Sequence, residues 1–283
     1  MTARTPDGGS SGYFLRNHFD AVKLDTSRIA GEAIRKALES RNPHTLEPGQ
    51  YPVILEPQAV ADLLWFLLGA SQFPTFAFDA RNADEGRNSF SAPGGKTRLG
   101  ERIFDERINI CSDPWNLEVP GSQSAQDGIP AETIYLVRNG VVENLRYSRF
   151  WAQQKGKQPT PGPINSILES SSPSASVEEM IQATERGLLI GRFFYIRLVD
   201  PRTALLTGLT RDGVWYVANG KIQYPVRNFR FNQSIMQMLA PGNVDMIGVP
   251  ERVGSSEAQG RIASLLPALK LKQFNFTSQS EAV

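Results

Sequence analysis

The chain has 283 residues, 40% of them hydrophobic, which suits one large domain or two small ones built on a substantial core. Thirty Lys and Arg stand against 29 Asp and Glu, a formal charge of +1, so no net field draws the protein to nucleic-acid phosphates or anionic lipid. Cys111 is the single cysteine, which excludes an intramolecular disulfide, and the longest apolar run, LLWFLL, is too short to span a bilayer; the expectation is a cytoplasmic globular protein with neither nucleic acid nor membrane as partner.

The N-terminal MTARTPDGGSSGYF has neither the apolar stretch of a secretory signal nor the Arg-rich pattern of a transit peptide, and its Pro, Gly and Ser read as turn and loop. A helix follows from Ser27 to about Ser40. Ile29, Ala30, Ala33, Ile34, Ala37 and Leu38 fall on one face, with Glu32 and Lys36 paired at i,i+4 outside. EPGQYPVIL, residues 47–55, reads as a buried strand, and Glu56-Pro57 then starts a helix through ADLLWFLLGAS. Val60, Leu64, Leu67 and Leu68 make its inward stripe, Trp65 and Phe66 extend the apolar surface, and such a helix is buried on most sides. The row LLWFLL holds no group that can ligate a metal or move a proton.

Residues 79–102 lose apolar periodicity and read as a mobile excursion, and residues 156–175, rich in Pro, Ser and Gly, as a second long loop. Ser176-x-x-Glu179 matches a capping box, and Gly187 sits where a C-terminal cap of the helix VEEMIQATER belongs. Asn139-Gly140, Asp212-Gly213 and Asn219-Gly220 each lie between β-branched and aromatic runs, a hairpin signal. RFFYIRLV, TALLTGLT, VWYVA, KIQYPV and FRF then form a meander that ALKLKQFNF rejoins. The class is α+β, a large antiparallel sheet or open barrel-like domain with a few packed helices.

Chemistry-bearing residues are sparse. His18, His44 and Cys111 are widely separated and lack metal-ligand spacing; the alternative is loop or cap histidines and a buried strand cysteine. No basic setting surrounds Cys111 to activate its thiol. Asp84-Glu85 and Glu178-Glu179 read as solvated acids, and Gly94-Gly95-Lys96-Thr97 lacks the first glycine and the preceding strand of a phosphate loop.

The order of segments says more. GRFFYIRLVDPRTALLTGLTRDGVWYVANGKIQYPVRNFRF (residues 191–231), YPVILEPQAVADLL, DGIPAETIYLVRNGVVENL and PALKLKQFNF resemble, in the expected order, the carboxy-terminal half of the TldD/PmbA family. Its heterodimeric members are zinc metalloproteases once named modulators of DNA gyrase. In the proteolytic subunit the segment similar to EPQAVADLL continues into H-E-x-x-x-H, two zinc ligands and a glutamate that activates water. The matching positions here are Trp65, Phe66 and Ala70, none of which can coordinate zinc or accept a proton.

The resemblance therefore implies a TldE/PmbA-like subunit with no catalytic residue, metal or cofactor of its own, paired with a TldD-like subunit that carries the zinc. It implies a domain over residues 21–283, preceded by residues 1–20 as a loop resembling the end of a missing amino-terminal domain; a shortened subunit and a separate polypeptide that supplies the other half are the two alternatives. An antiparallel sheet edge can hold an extended peptide by main-chain hydrogen bonds, and Arg192, Tyr195, Arg197 and Arg211 are the candidates to line it; outward-facing residues on a solvated sheet face are the plainer alternative. The other readings are a peptidase with an unconventional site and a stand-alone peptide-binding scaffold.

Overall fold

A computed structural model describes residues 1–68, 77–122, 128–172, 174–256 and 263–280. In chain order its strands begin with β1 (Thr2–Arg4), β2 (Ser11–Tyr13), β3 (Gly49–Leu55), β4 (Ser91–Ala92), β5 (Lys96–Thr97), β6 (Ile108–Ser112), β7 (Ile134–Arg138), β8 (Val141–Val142) and β9 (Ser166–Ser170). They continue with β10 (Arg186–Ile190), β11 (Phe193–Asp200), β12 (Leu205–Thr210), β13 (Val214–Ala218), β14 (Lys221–Pro225), β15 (Phe229–Ser234), β16 (Val244–Ile247), β17 (Glu251–Gly254), β18 (Ala263–Leu266) and β19 (Leu269–Gln279). The helices are α1 (Thr26–Glu39), α2 (Pro57–Leu68), α3 (Ala80–Asp84), α4 (Arg149–Lys155), α5 (Val177–Gln182) and α6 (Ile235–Met238).

The α+β class holds, as two mixed sheets. The larger runs β11-β12-β15-β19-β3-β10-β13-β14, with β16 also on β19, and the smaller runs β17-β18-β9-β6-β7-β8. Most pairs are antiparallel; β3 with β10 and β9 with β18 are parallel. Helix α2 lies between the sheets, against β3 and β11 of the larger and β17 and β18 of the smaller. That position explains its composition: ten of its twelve residues are buried, including Leu63, Leu64 and Leu67. One continuous core joins Leu55, Ile190 and Phe193 to Ile108, Leu136 and Leu168, and a cluster of Phe193, Phe231, Phe274 and Phe276 fills the space beneath the larger sheet.

Several local expectations hold for the reasons given. Ser176 accepts from the Glu179 amide while the Glu179 carboxylate accepts from the Ser176 amide, and β19 is the long closing strand, paired with β3, β15 and β16. Others are corrected. The first residues are not loop: β1 and β2 form a hairpin on α1, so close that a Cβ on Gly12 would stand 2.2 Å from the Ala33 carbonyl oxygen. On α1 the stripe is rotated. Ala33, Lys36 and Ala37 are buried while Ile34 and Leu38 face solvent; Lys36 pairs with Glu56, and Glu32 pairs with Arg35.

Residues 79–102 are packed, although they show no periodicity, because a buried polar side chain organises them. Asn88 Nδ2 donates to the Ala77 and Asp79 carbonyls, its Oδ1 accepts from the Phe90 amide, and the Phe78 and Phe90 rings lie 4.4 Å apart. The second expected loop contains β9, inserted between β6 and β18 with Ile167 and Leu168 buried. Helix α5 stops at Gln182, and Gly187 lies inside β10, where a Cβ would meet the Pro52 carbonyl oxygen at 2.8 Å. The expected meander is two hairpins, β11-β12 and β13-β14, at opposite ends of the larger sheet. Asp212-Gly213 joins them as a crossover, because Asp212 is spent on Ser11 and Arg192.

Candidate functional site

On α2, Ala61, Leu64, Trp65 and Leu68 recur at helical spacing and wall a cleft of about 470 Å³ counted to its open mouth. Pro163, Ile164, Asn165 and Ser166 form the facing wall, with Ser255, Ser264 and Leu266 beside them. Asn165 fastens that wall: its Oδ1 accepts from Ser112 Oγ and the Asp113 amide, and its Nδ2 donates to the Asp113 and Val119 carbonyls. Trp65 thus lines the cleft, Phe66 is half-buried against the main core, and Ala70 lies outside the described residues.

The same helix holds one ionisable group, Asp62, which sequence reasoning passes over because its flanks are apolar. Asp62 is completely buried. Its Oδ1 accepts from the Ser256 amide at 2.7 Å, Ser256 Oγ at 2.9 Å and Gln58 Nε2 at 3.0 Å, and its Oδ2 accepts from the Phe193 amide at 3.1 Å. Burial pushes the carboxyl up to about 6, opposed by these hydrogen bonds and by Arg192. A charged residue inside a greasy helix run is the signal that could have found it, since burying a charge requires dedicated partners.

The sequence candidates for a catalytic or metal site stay apart. His18 is tucked beneath Phe19, its Nδ1 accepting from the Asp20 amide and its Nε2 3.7 Å from Glu118. The His44 ring lies 4.4 Å from that of Tyr224, tilted by 37°. Asp84 accepts from Trp151 Nε1, Glu85 pairs with Arg81 and Arg87, and Gly94-Gly95 turn the β4-β5 hairpin. Cys111 is buried in β6, and burial, with Glu169 and Asp113 adding to it, pushes its thiol up to about 12. Iodoacetamide at about pH 8 should therefore alkylate the folded protein at least about a hundredfold more slowly than the urea-unfolded chain; comparable rates, read by intact mass, would contradict this placement.

The four proposed peptide-binding residues do come together, around the start of β11. Arg192 is buried rather than on the sheet surface, 2.9 Å from Asp212, with its guanidinium 4.0 Å from the Tyr13 ring and 5.4 Å from the Phe194 ring. Arg211 covers Phe194 at 4.4 Å and Arg197 covers Tyr195 at 4.0 Å. Burial holds the Arg211 guanidinium below its usual range, with Arg192 and Arg4 adding like charge and Asp212 opposing them. Among the described residues β11 is an edge strand, paired only with β12.

Residues 48–278 match the model of the PmbA/TldA metallopeptidase C-terminal domain. The chain belongs to the PmbA/TldD metallopeptidase family. A protein of Methanothermobacter thermautotrophicus named metalloprotease is 24% identical over 265 residues, covering 87% of this chain and 52% of the relative. Similar solved structures include TldE from Thermococcus kodakarensis (TM-score 0.72, 19% identity, 92% of this chain and 57% of that one). Two others carry the description of modulators of DNA gyrase. They come from Bacteroides thetaiotaomicron (TM-score 0.78, 18% identity, 98% of this chain and 58% of that one) and Thermotoga maritima (TM-score 0.75, 18% identity, 95% and 59%). The chain spans between half and three fifths of the length of these relatives.

A PmbA/TldD metallopeptidase implies a zinc ion held from the helix that corresponds to α2. The described residues do not fit one. Trp65 and Phe66 offer no donor, and the Asp62 oxygens are enclosed and engaged by Ser256, Gln58 and the Phe193 amide. Among the described residues no three His, Cys, Asp or Glu side chains are grouped as a metal requires, and no helix is long and apolar enough to cross a membrane.

Proposed function

We propose that this chain is a metal-free, TldE/PmbA-like subunit of a cytoplasmic zinc metalloprotease, completing the chamber of a TldD-like partner and helping to hold unfolded or ribosomally made peptides for cleavage. The observation that carries this reading is Trp65 in the apolar cleft wall between Leu64 and Leu68, together with the sequence resemblance that matches this position to the family's first zinc ligand. Its likeness in fold to TldE supports it. The edge of β11, with Tyr195 and Arg197 outward and Arg211 beside them, is the proposed place for the peptide.

Elemental analysis of the purified chain, with peptidase assays alone, with a chelator and after adding an H-E-x-x-x-H homologue from the same cell, tests the reading. Cleavage only in the mixture, with zinc tracking the homologue, is expected. Stoichiometric zinc and chelator-sensitive cleavage by this chain alone would overturn it. The triple variant Trp65→His, Phe66→Glu, Ala70→His should melt lower, with a loss of about 2 kcal/mol or more from the polar groups set at Trp65 in the cleft wall and at Phe66 against the core, and should show no zinc-dependent peptidase activity. A gain of such activity would instead identify a scaffold still poised for catalysis.

A further inference from the structure

Tyr195 has φ +54°, a left-handed conformation that a bulky aromatic residue adopts only under constraint. It sits in a bulge: the pairing of β11 with β12 slips between Phe194 and Arg197, and again between Leu198 and Asp200. The slip turns Phe194 and then Tyr195 off the core before Ile196 returns to full burial. Tyr195 is 56% exposed and Val199 55%, so the outward face of this edge reads aromatic, guanidinium, aliphatic through Tyr195, Arg197 and Val199. Arg197 does not float: its guanidinium lies on the Tyr195 ring and its Nη1 donates to the Ile196 carbonyl at 2.7 Å. An exposed ring on a constrained backbone, buttressed by a fixed cation, is a prepared contact surface.

Two bulges in one edge strand also blunt it against pairing by main chain alone. A peptide laid along β11 must then draw on side chains, and every second one of these faces the same row as Tyr195. We infer that Tyr195 is a specificity-determining residue, selecting extended peptides that place an aromatic side chain against its ring. This rests on the peptide-holding reading above and replaces sequence-independent binding with a preference. An acidic side chain is the less suited occupant, because Arg197 is already laid on the ring and a carboxylate would have to draw it off.

The test is fluorescence anisotropy with the purified chain and four labelled decapeptides of one extended sequence, differing only in a central Ala, Leu, Glu or Trp. The Trp peptide should bind about three- to tenfold more tightly than the Ala peptide. Tyr195→Gly should weaken the Trp peptide about three- to tenfold more than the Ala peptide, so that the ratio is erased. Its Tm should hold or rise, since Gly adopts positive φ without strain. Tyr195→Phe should keep the ratio. Equal affinity for all four peptides, a Glu preference, or a Trp preference surviving in Tyr195→Gly would overturn the assignment while leaving the peptide-holding reading in place. A Tm loss of several degrees in Tyr195→Gly would show that the ring serves the fold instead. Failure to bind any of the four peptides would overturn both.

Discussion

Lys36→Met is expected to lower the unfolding free energy by about 3 kcal/mol, measured as a fall in the urea midpoint at unchanged slope. Lys36 leaves α1 toward the interior, its side chain 4% exposed, and pairs with Glu56, whose side chain is 18% exposed. The Phe14 ring lies 5.7 Å from its ammonium group, so little water reaches the pair. Removing the cation strands a carboxylate in that setting, and truncating one partner of a buried pair is costlier than replacing both. The position of Glu56 just before α2 offsets part of the loss, because an acid there meets the positive end of the helix dipole. The double variant Lys36→Met, Glu56→Gln should therefore recover most of the stability. Equal losses in the single and double variants would show that packing of the lysine stem, and not the stranded charge, is what matters.

A second large effect is expected from pH acting through Asp62. Its carboxyl is raised from the ordinary 3.8 to about 6 in the folded protein, so the folded state holds the proton more tightly than the unfolded chain does. Stability from this group is then fully present below about pH 4, is lost as pH rises through about 6, and stays lost above that; a shift of about two units corresponds to about 3 kcal/mol. Other acids pull the opposite way: Asp105 beside Arg107 and Glu179 in its capping box both have lowered values and lose their contribution as pH falls. The measurement is accordingly the difference between wild type and Asp62→Asn across that range. Wild type should lose about 3 kcal/mol relative to the variant between about pH 4 and pH 7. Parallel profiles would mean that the carboxyl titrates as if exposed, contrary to its complete burial. The amide introduced beside the Phe193 N–H shifts both ends of the difference alike, so the slope isolates the proton.

What could be read from residue order alone is whatever depends on neighbours within a few positions. Ser176 and Glu179 cap α5 across one turn, α1 begins where Asp25 accepts from the Arg28 amide, and β3 and β19 show the apolar content of buried strands. The lack of zinc donors at Trp65 and Phe66 belongs to this class as well, since an indole or a phenyl ring offers zinc no ligand in any surroundings. Features set by distant partners were not legible. Asp62 draws one hydrogen bond from Gln58 in its own helix, but the others come from Phe193 and Ser256, 131 and 194 residues further along, and its apolar flanks do not name those partners. Lys36 looks like half of an exposed helix pair until Glu56, on the other side of β3, claims it. Asp212-Gly213 has the composition of a hairpin, yet Ser11 lies 201 residues away and takes the carboxylate that would have turned one. In each case burial raised the cost of leaving a charge unpaired, so a partner from an element distant in sequence overrode local preference.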